Sequence, residues 1–358
     1  MPLPPLRRVT LRDIATAAGV HFSTVSLALR NHPRLPKATC ERVQKVAAQL
    51  GYVPDPMLAS LASYRRILRP VSYRATLAWV SAFPGRDDWR NVQIFRKQHA
   101  GAQQRAEEIG YKLEHFWLGE PGLSPARASQ ILRTRSITGL IMAPLPRAGG
   151  VLKLDWADFS TVAIGYSLVS PGLHVVSAHQ YRCIRLAVQE LRGRGYGRIG
   201  LVMLVASDDR VDNNWLAGLL IEQHGMSSGE RLLPLLMTKW DEREFAAWMN
   251  EARPDAIITK LGQVVPVLHA MGLRPPEGLG LVYLGDAHPG EGHSGVDENP
   301  QQVGAAAVDF VVGMLHRNER GVPAVPHRLL IDGIWIEGTT VRPRPAGAVA
   351  AAETPSCP

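Results

Sequence analysis

The sequence predicts an all-α helix-turn-helix head followed by an α/β body, and three observations carry that prediction. Residues 1–74 hold 12 Lys and Arg against Asp13, Glu41 and Asp55, a net of +9, while the rest of the 358 residues holds 28 against 29 acids. Within the basic part, apolar residues recur at helical spacing in three short stretches punctuated by Gly19 and Pro36. From Ala75 onward, apolar runs of strand length alternate with amphipathic stretches of helix length, the pattern of parallel sheets covered by helices.

A basic head on a neutral body is the electrostatic footprint of a module that meets phosphates. The apolar fraction of 46% suffices for a buried core. No run reaches the roughly 18 uninterrupted apolar residues of a membrane span. Prolines at positions 2, 4 and 5 stand where a signal peptide needs an apolar helix, so a cytoplasmic protein with no membrane partner is expected. Cys40, Cys183 and Cys357 are odd in number and widely spaced, which implies neither a disulfide framework nor a zinc site. No cofactor and no resident metal are expected.

The head comes first in the chain. Thr10 and Asp13, three residues apart, have the spacing of a capping box, and Ile14, Ala15 and Ala18 form an apolar stripe behind them. Gly19 supplies the left-handed residue that ends this helix. Val20 starts a tight turn into a second helix with Val25 and Leu29 facing inward, which leaves Phe22, Ser23, Ser26, Leu27 and Arg30 on or near the outer face. A third helix is placed at 37–50, with Pro36 at its entry and Val43, Val46, Ala47 and Leu50 on one side. Two short helices around a glycine turn, with a third packed beneath, size the second helix for the DNA major groove.

These residues resemble the lactose-repressor family of bacterial regulators. The match rests on Val9-Thr10-Leu11-Arg12-Asp13-Ile14-Ala15, Ala18-Gly19-Val20, Ser23-Thr24-Val25-Ser26 and Gly51-Tyr52-Val53-Pro54. The resemblance implies that Phe22, Ser23 and Leu27 approach bases, that Thr24 and Ser26 hold phosphates, and that Arg30 and Arg34 lie close to the DNA. Thr10 and His21, the two N-cap positions, complete the set assigned to DNA. The sequence departs from the family at three places. His21 stands where a Ser cap is usual, a cap weaker by about 1 kcal/mol. Leu27 replaces the customary Arg, which removes a donor to guanine and favours apolar contact with a thymine methyl. Residues 30–36 are unusually basic and stiffened by proline. An operator different from the family's commonest one follows.

Residues 55–62 form a piece too short to be helical alone in water. The resemblance implies that it becomes helical when two copies pair on a palindromic operator, with Leu61 wedged into the minor groove. Residues 64–70 follow as a basic linker. The expected division is therefore a head at 1–54, a hinge and linker at 55–74, a body at 75–341 and a disordered tail at 342–358, rich in Pro and Ala. That tail lacks a leucine heptad, so a homodimer is expected rather than a tetramer.

In the body, strands are expected at 77–83, 112–117, 139–142, 161–164, 199–204, 256–259 and 279–284. Helices are expected at 95–109, 124–134, 182–192 and 245–252. Gly195-Tyr196-Gly197-Arg198-Ile199-Gly200 matches the spacing of a dinucleotide fingerprint, but a helix precedes it and a strand follows. That order is the reverse of what phosphate binding at a helix N-terminus needs.

The body is similar to the effector domain of the same family, itself like the periplasmic sugar-binding proteins. Residues 106–111, 137–141, 187–191, 216–218, 254–258 and 296–300 fall at corresponding places. The resemblance implies two lobes joined by crossovers near 177–181, 284–288 and 296–300, with the chain returning to the first lobe at 301–317. A carbohydrate-like effector would sit between the lobes at the strand carboxyl ends. Phe83, Trp89, Tyr166, Arg210, Asn214, Trp215, Lys260 and Asp286 are the cleft candidates, aromatic faces for sugar rings and polar groups for hydroxyls.

Two departures fall in this pocket. Trp215 stands where a sugar-clamping Arg precedes Leu-Ala-Gly, and Lys260-Leu261-Gly262 replaces a polar Asn-Asp pair. Asp286, His288, Glu291 and His293 are metal-capable, but their Gly/Pro loop has no rigid helix to set coordination geometry. The function expected is a sequence-specific DNA-binding regulator, a repressor of carbohydrate-related genes under allosteric control. The alternative is a small-molecule binding protein with a vestigial head. An α/β enzyme would need a nucleophile elbow or phosphate loop, and the sequence contains neither.

Overall fold

The computed structural model describes residues 9–29, 35–52, 75–285 and 292–343. Arg30, Arg34, Leu61 and Asp286, the hinge at 55–74 and most of the tail lie outside the described residues.

The head is three helices, α1 (Leu11–Ala18), α2 (Phe22–Ala28) and α3 (Lys37–Gln49). Both halves of the expected capping box form: Thr10 N donates to Asp13 Oδ2 at 2.7 Å and Asp13 N to Thr10 Oγ1 at 3.4 Å. Gly19 takes φ 62° and turns the chain. Ile14, Val25, Ala28 and Val43 make the fully buried centre. Leu29 is only partly buried and Leu50 is exposed; Ala28 and Cys40 take the inward places instead.

The body contains two six-stranded sheets. The first lobe holds β1 (Ala75–Ser81), α4 (Gln93–Glu108), β2 (Tyr111–Trp117), α5 (Pro125–Thr134), β3 (Gly139–Met142), β5 (Ser160–Ile164) and β7 (His174–Ala178). The short strands β4 (Gly150–Val151) and β6 (Leu168–Ser170) pair beside it. The second lobe holds α6 (Gln180–Gly193), β8 (Ile199–Leu204), α7 (Val205–Asp209), α8 (Asn214–His224), β9 (Leu235–Met237), α9 (Glu242–Ala252), β10 (Ala256–Thr259), α10 (Val264–Ala270), β11 (Gly280–Gly285) and β12 (Ser294–Asp297). The chain then returns to the first lobe with α11 (Pro300–Arg317) and β13 (Arg328–Ile331), and ends in the second with β14 (Ile334–Ile336).

Sheet order in the first lobe is β13-β7-β5-β3-β1-β2, all parallel. In the second it is β14-β12-β11-β10-β8-β9, parallel except β14. Each sheet buries both faces, as parallel sheets do. Along β1, Leu77 and Trp79 face α4 and α11 while Ala78 and Val80 face the α5 side. Gly101 and Gly304 let α4 and α11 cross with backbones touching; a methyl at either would overlap the other helix's main chain.

The expected crossover near 284–288 is incorrect. β11 and β12 on its two sides pair parallel in one sheet, Val282 opposite Ser294. The chain passes between lobes after β7, after β12 and after β13, the last through Asp332 and Gly333. β13 leaves the first lobe at its carboxyl edge, and β14 enters the second beside the carboxyl end of β12, with Ile334 opposite Asp297. That path sets the two carboxyl edges face to face. The three connections are bound together: His179 N donates to Ile331 O at 2.8 Å, Asn299 Nδ2 to Asp332 O at 2.7 Å, and Arg182 pairs with Asp332 at 3.0 Å.

The glycine run 195–200 is a turn at 195–198 leading into β8. Asp255 clamps it, accepting from Gly197 N at 2.9 Å and Arg198 N at 3.0 Å.

Candidate nucleic-acid interface and interlobe cleft

The first two helices of the head are docked on α3 through their C-terminal ends. Gln44 Nε2 on α3 donates to Ala28 O at 3.0 Å, and Arg42 Nη1 to Ala18 O at 3.0 Å, so α3 satisfies the last carbonyls of both upper helices. The outer face of α2 stays open. His21, Phe22 and Ser23 are exposed, Phe22 by 50%, and Thr24, Ser26 and Leu27 are partly so. A half-exposed phenylalanine beside hydroxyls costs hydration and stands ready for a partner surface. His21 caps α2 despite not being Ser: its Nδ1 lies 2.8 Å from Ser23 Oγ and accepts from Ser23 N at 3.4 Å, and its ring packs on Phe22 at 4.5 Å. Thr10 is spent on its own capping box at the start of α1.

The cleft candidates separate into three groups. Trp89, 1% exposed, is enclosed in the first lobe by Trp79, His99 and His115, at ring distances of 5.9, 5.0 and 5.5 Å. It offers no open face to a ligand and lies in the core of the first lobe, not in the cleft where the sequence places it. The packing has an electrostatic consequence. Burial, aided by Arg90 and then His115, holds the His99 imidazole down to about 4, and burial also lowers His115, whose Nε2 lies 2.7 Å from Ser81 Oγ.

Trp215, 3% exposed, is likewise not an open stacking face. Its indole N–H donates to Glu298 Oε1 at 3.1 Å, and Glu298 itself is 2% exposed. Lys260 Nζ lies 4.6 Å from the Trp215 ring centre and donates to Leu284 O at 3.2 Å. A Cβ at Gly285 would strike that Nζ and lie 3.6 Å from Glu298 Oε2, which places the ammonium and the carboxylate around one glycine. The second lobe thus fills the ends of β10, β11 and β12 with its own cation, indole and carboxylate. Such a buried charged group persists because its neighbours hydrogen-bond it.

Phe83, Tyr166, Arg210 and Asn214 form the third group. Phe83 is buried edge-on against Phe95 at 6.2 Å, and the Arg210 guanidinium lies 5.2 Å from the Phe95 ring centre. Phe95 belongs to the first lobe and Arg210 to the second, so the pair spans the cleft. Burial lowers the Arg210 pKa. Burial raises the Tyr166 hydroxyl, with Arg328 opposing and the Asp212 charge adding to it. Asn214 Nδ2 is turned onto its own chain, donating to Val211 O at 2.6 Å.

Sequence reading missed Phe95 and Glu298. Phe95 looks like an ordinary apolar position of an amphipathic helix, and no signal marks it. Glu298 was inside the matched stretch 296–300, where a glutamate between a strand and a helix was a usable sign. Among the described residues no group of His, Cys, Asp and Glu could hold a metal ion; His293 packs on Tyr283 at 4.9 Å. No helix of the described residues is long and apolar enough to cross a membrane.

Comparison with known proteins agrees with this arrangement. Residues 10–55 match the family model of bacterial regulatory proteins, lacI family. Over 323 residues the chain is 25% identical to the HTH-type transcriptional regulator PtxS of Pseudomonas plecoglossicida, covering 87% of this chain and 91% of that protein. Over 137 residues it is 42% identical to the maltose regulon regulatory protein MalI of Escherichia coli K12, covering 38% of this chain and 36% of that one. The fold is similar to the solved lac repressor dimer bound to operator and an anti-inducer, with a TM-score of 0.52 at 17% identity, covering 94% of this chain and 100% of that one. The head thus matches the lacI family of bacterial regulatory proteins over residues 10–55, and most of the chain is similar to a regulator of that kind.

Proposed function

We propose that the protein is a cytoplasmic, homodimeric transcriptional repressor that binds a palindromic double-stranded operator under control of a small carbohydrate-like ligand. One observation carries the reading: the outer face of α2, with Phe22 half exposed and Ser23, Thr24 and Ser26 beside it, is left open while α3 fastens the C-terminal ends of α1 and α2. Short hydroxyls at a helix start permit close approach to phosphates, and larger outward groups reach base edges. His21, Phe22, Ser23, Thr24, Ser26 and Leu27 make the head's contacts, with Arg30, Arg34 and Leu61 extending them and Thr10 fixing the start of α1 beside them. One head alone presents too little surface for a specific site, which supports a dimer on a two-fold sequence. In the body, Arg210, Tyr166 and Lys260 are the polar groups at the facing edges, and Phe83 with Phe95 the aromatic ones.

Selection of bound fragments from a random DNA pool tests the reading. A dyad-symmetric site with half-sites one helical turn or less apart is expected, and its half-site should carry a thymine where Leu27 reaches the groove. Enrichment of no sequence over many rounds would refute it.

A further inference from the structure

Residues 208–214, from the end of α7 to the start of α8, form a strap rather than an ordinary loop. Asp212 and Asn213 stand in succession in the left-handed region, at φ 58° and 55°, which Asp and Asn tolerate best among non-glycine residues and which two in a row adopt more readily when surroundings hold them there. Those surroundings are present. Asp208 Oδ1 accepts from Trp215 N at 3.2 Å and Leu216 N at 3.3 Å, Asp208 O accepts from Val211 N and Asn213 N, and Asn214 Nδ2 reaches Val211 O. The turn is therefore preset, and what it presents is preset with it.

It presents Arg210 to the other lobe. The guanidinium stacks 5.2 Å from the ring centre of Phe95, which is itself locked edge-on by Phe83. Among the described residues no ion pair includes Arg210, so the aromatic face is the partner it has there. Two residues on, the same strap brings the Asp212 charge to bear on Tyr166 of the first lobe. Both points lie on one short segment of the second lobe and on two separate segments of the first.

We propose that residues 209–213 are a latch across the cleft, in which Arg210 on Phe95 ties the lobes together through the protein's own side chains and must be displaced for the cleft to open. A partly desolvated cation over a phenyl ring biases such an equilibrium by about 2- to 30-fold. A cleft ligand then competes with the latch rather than simply adding contacts, and its leverage is the difference in affinity between latched and open arrangements. That the opening changes the placement of the DNA heads rests on the regulator reading; the existence of the latch does not.

Hydrogen exchange on the full chain, with no DNA and no ligand, tests it. Phe95→Leu, in the first lobe, should speed exchange of amides 209–216 in the second by about 5-fold. Arg210→Met should speed exchange of amides 93–97 by a similar factor, and the double variant should be no faster than the faster single one. Protection in β10 should be unchanged in all three, which shows that they fold. Should Phe95→Leu fail to fold, the effect of Arg210→Met on 93–97 decides alone. Effects confined to the substituted lobe would overturn the proposal, whether or not the protein binds DNA.

Discussion

Replacing Trp215 with phenylalanine removes one N–H from a place where a carboxylate depends on it. Glu298 is 2% exposed and takes the indole N–H at 3.1 Å, so its charge has little water to fall back on. Hydrogen bonds to charged groups are worth about 1.5–3 kcal/mol, and leaving one buried acceptor short costs about as much. The smaller ring adds a packing loss of about 1 kcal/mol, because Trp215 lies in the second lobe's core beside Ile184 and Leu219. The expected total is about 3 kcal/mol. Glu298→Gln isolates the contribution of the charge, since the amide keeps an acceptor for the indole N–H and gives up the charge. Urea unfolding of the parent, both single variants and the double variant, followed by far-UV circular dichroism, completes a cycle with an expected coupling of about 1–2 kcal/mol. A coupling below about 0.5 kcal/mol would refute the view that the second lobe's strand ends are organised around the Trp215–Glu298 bond.

Further predictions follow from other parts of the molecule. His99 should make stability fall in acid: the folded imidazole titrates at about 4 against 6.5 when unfolded, so the unfolded chain takes up the proton first as pH drops. Stability is full above about pH 6.5 and lost progressively down to pH 4, by about 2 kcal/mol after discounting for residual solvent. His99→Gln should flatten that part of a melting-temperature profile, and an unchanged slope would contradict it. Gly304→Val should cost 3 kcal/mol or roughly more in urea unfolding, because the new side chain meets the Gln98 main chain across the α4–α11 crossing; a cost under about 1 kcal/mol would mean the helices can separate freely. Leu61→Ala should weaken operator binding in a mobility-shift assay by about tenfold or more while leaving the body's stability unchanged, as removal of a minor-groove wedge would. Equal affinity would remove that role from Leu61.

The head was legible because every level agreed: caps, apolar spacing and glycine all pointed to the same three helices. Most central strands were legible for the same reason, since strands buried on both faces are continuous apolar runs such as 139–142 and 256–259, while β7 and β12, broken by His174, Ser177, Ser294 and Asp297, were not. Among the edge strands, β2 was expected at 112–117, but β9, β13 and β14 were not. β13 and β14 are partly exposed and short, and their pairing depends on where the chain goes, which no local pattern carries. The crossover assigned to 284–288 failed on that point: a strand followed by glycine looks alike whether the next strand joins the same sheet or the other one. In the cleft, residue type suggested open aromatic faces at Trp89 and Trp215. Tertiary packing closed both, one with a ring of histidines and tryptophan, the other with a carboxylate 83 positions away in the chain.

The central claim is that the head binds DNA in two copies through phosphates and base edges. Measuring affinity of the full chain for its selected palindrome from 50 to 200 mM salt tests it most directly. Two heads neutralising six to ten phosphates between them should lose about 10³- to 10⁵-fold in affinity across that range. Thr24→Ala should make the binding weaker at every salt concentration. A flat salt response, or equal binding to a half-site and the full palindrome, would contradict the account.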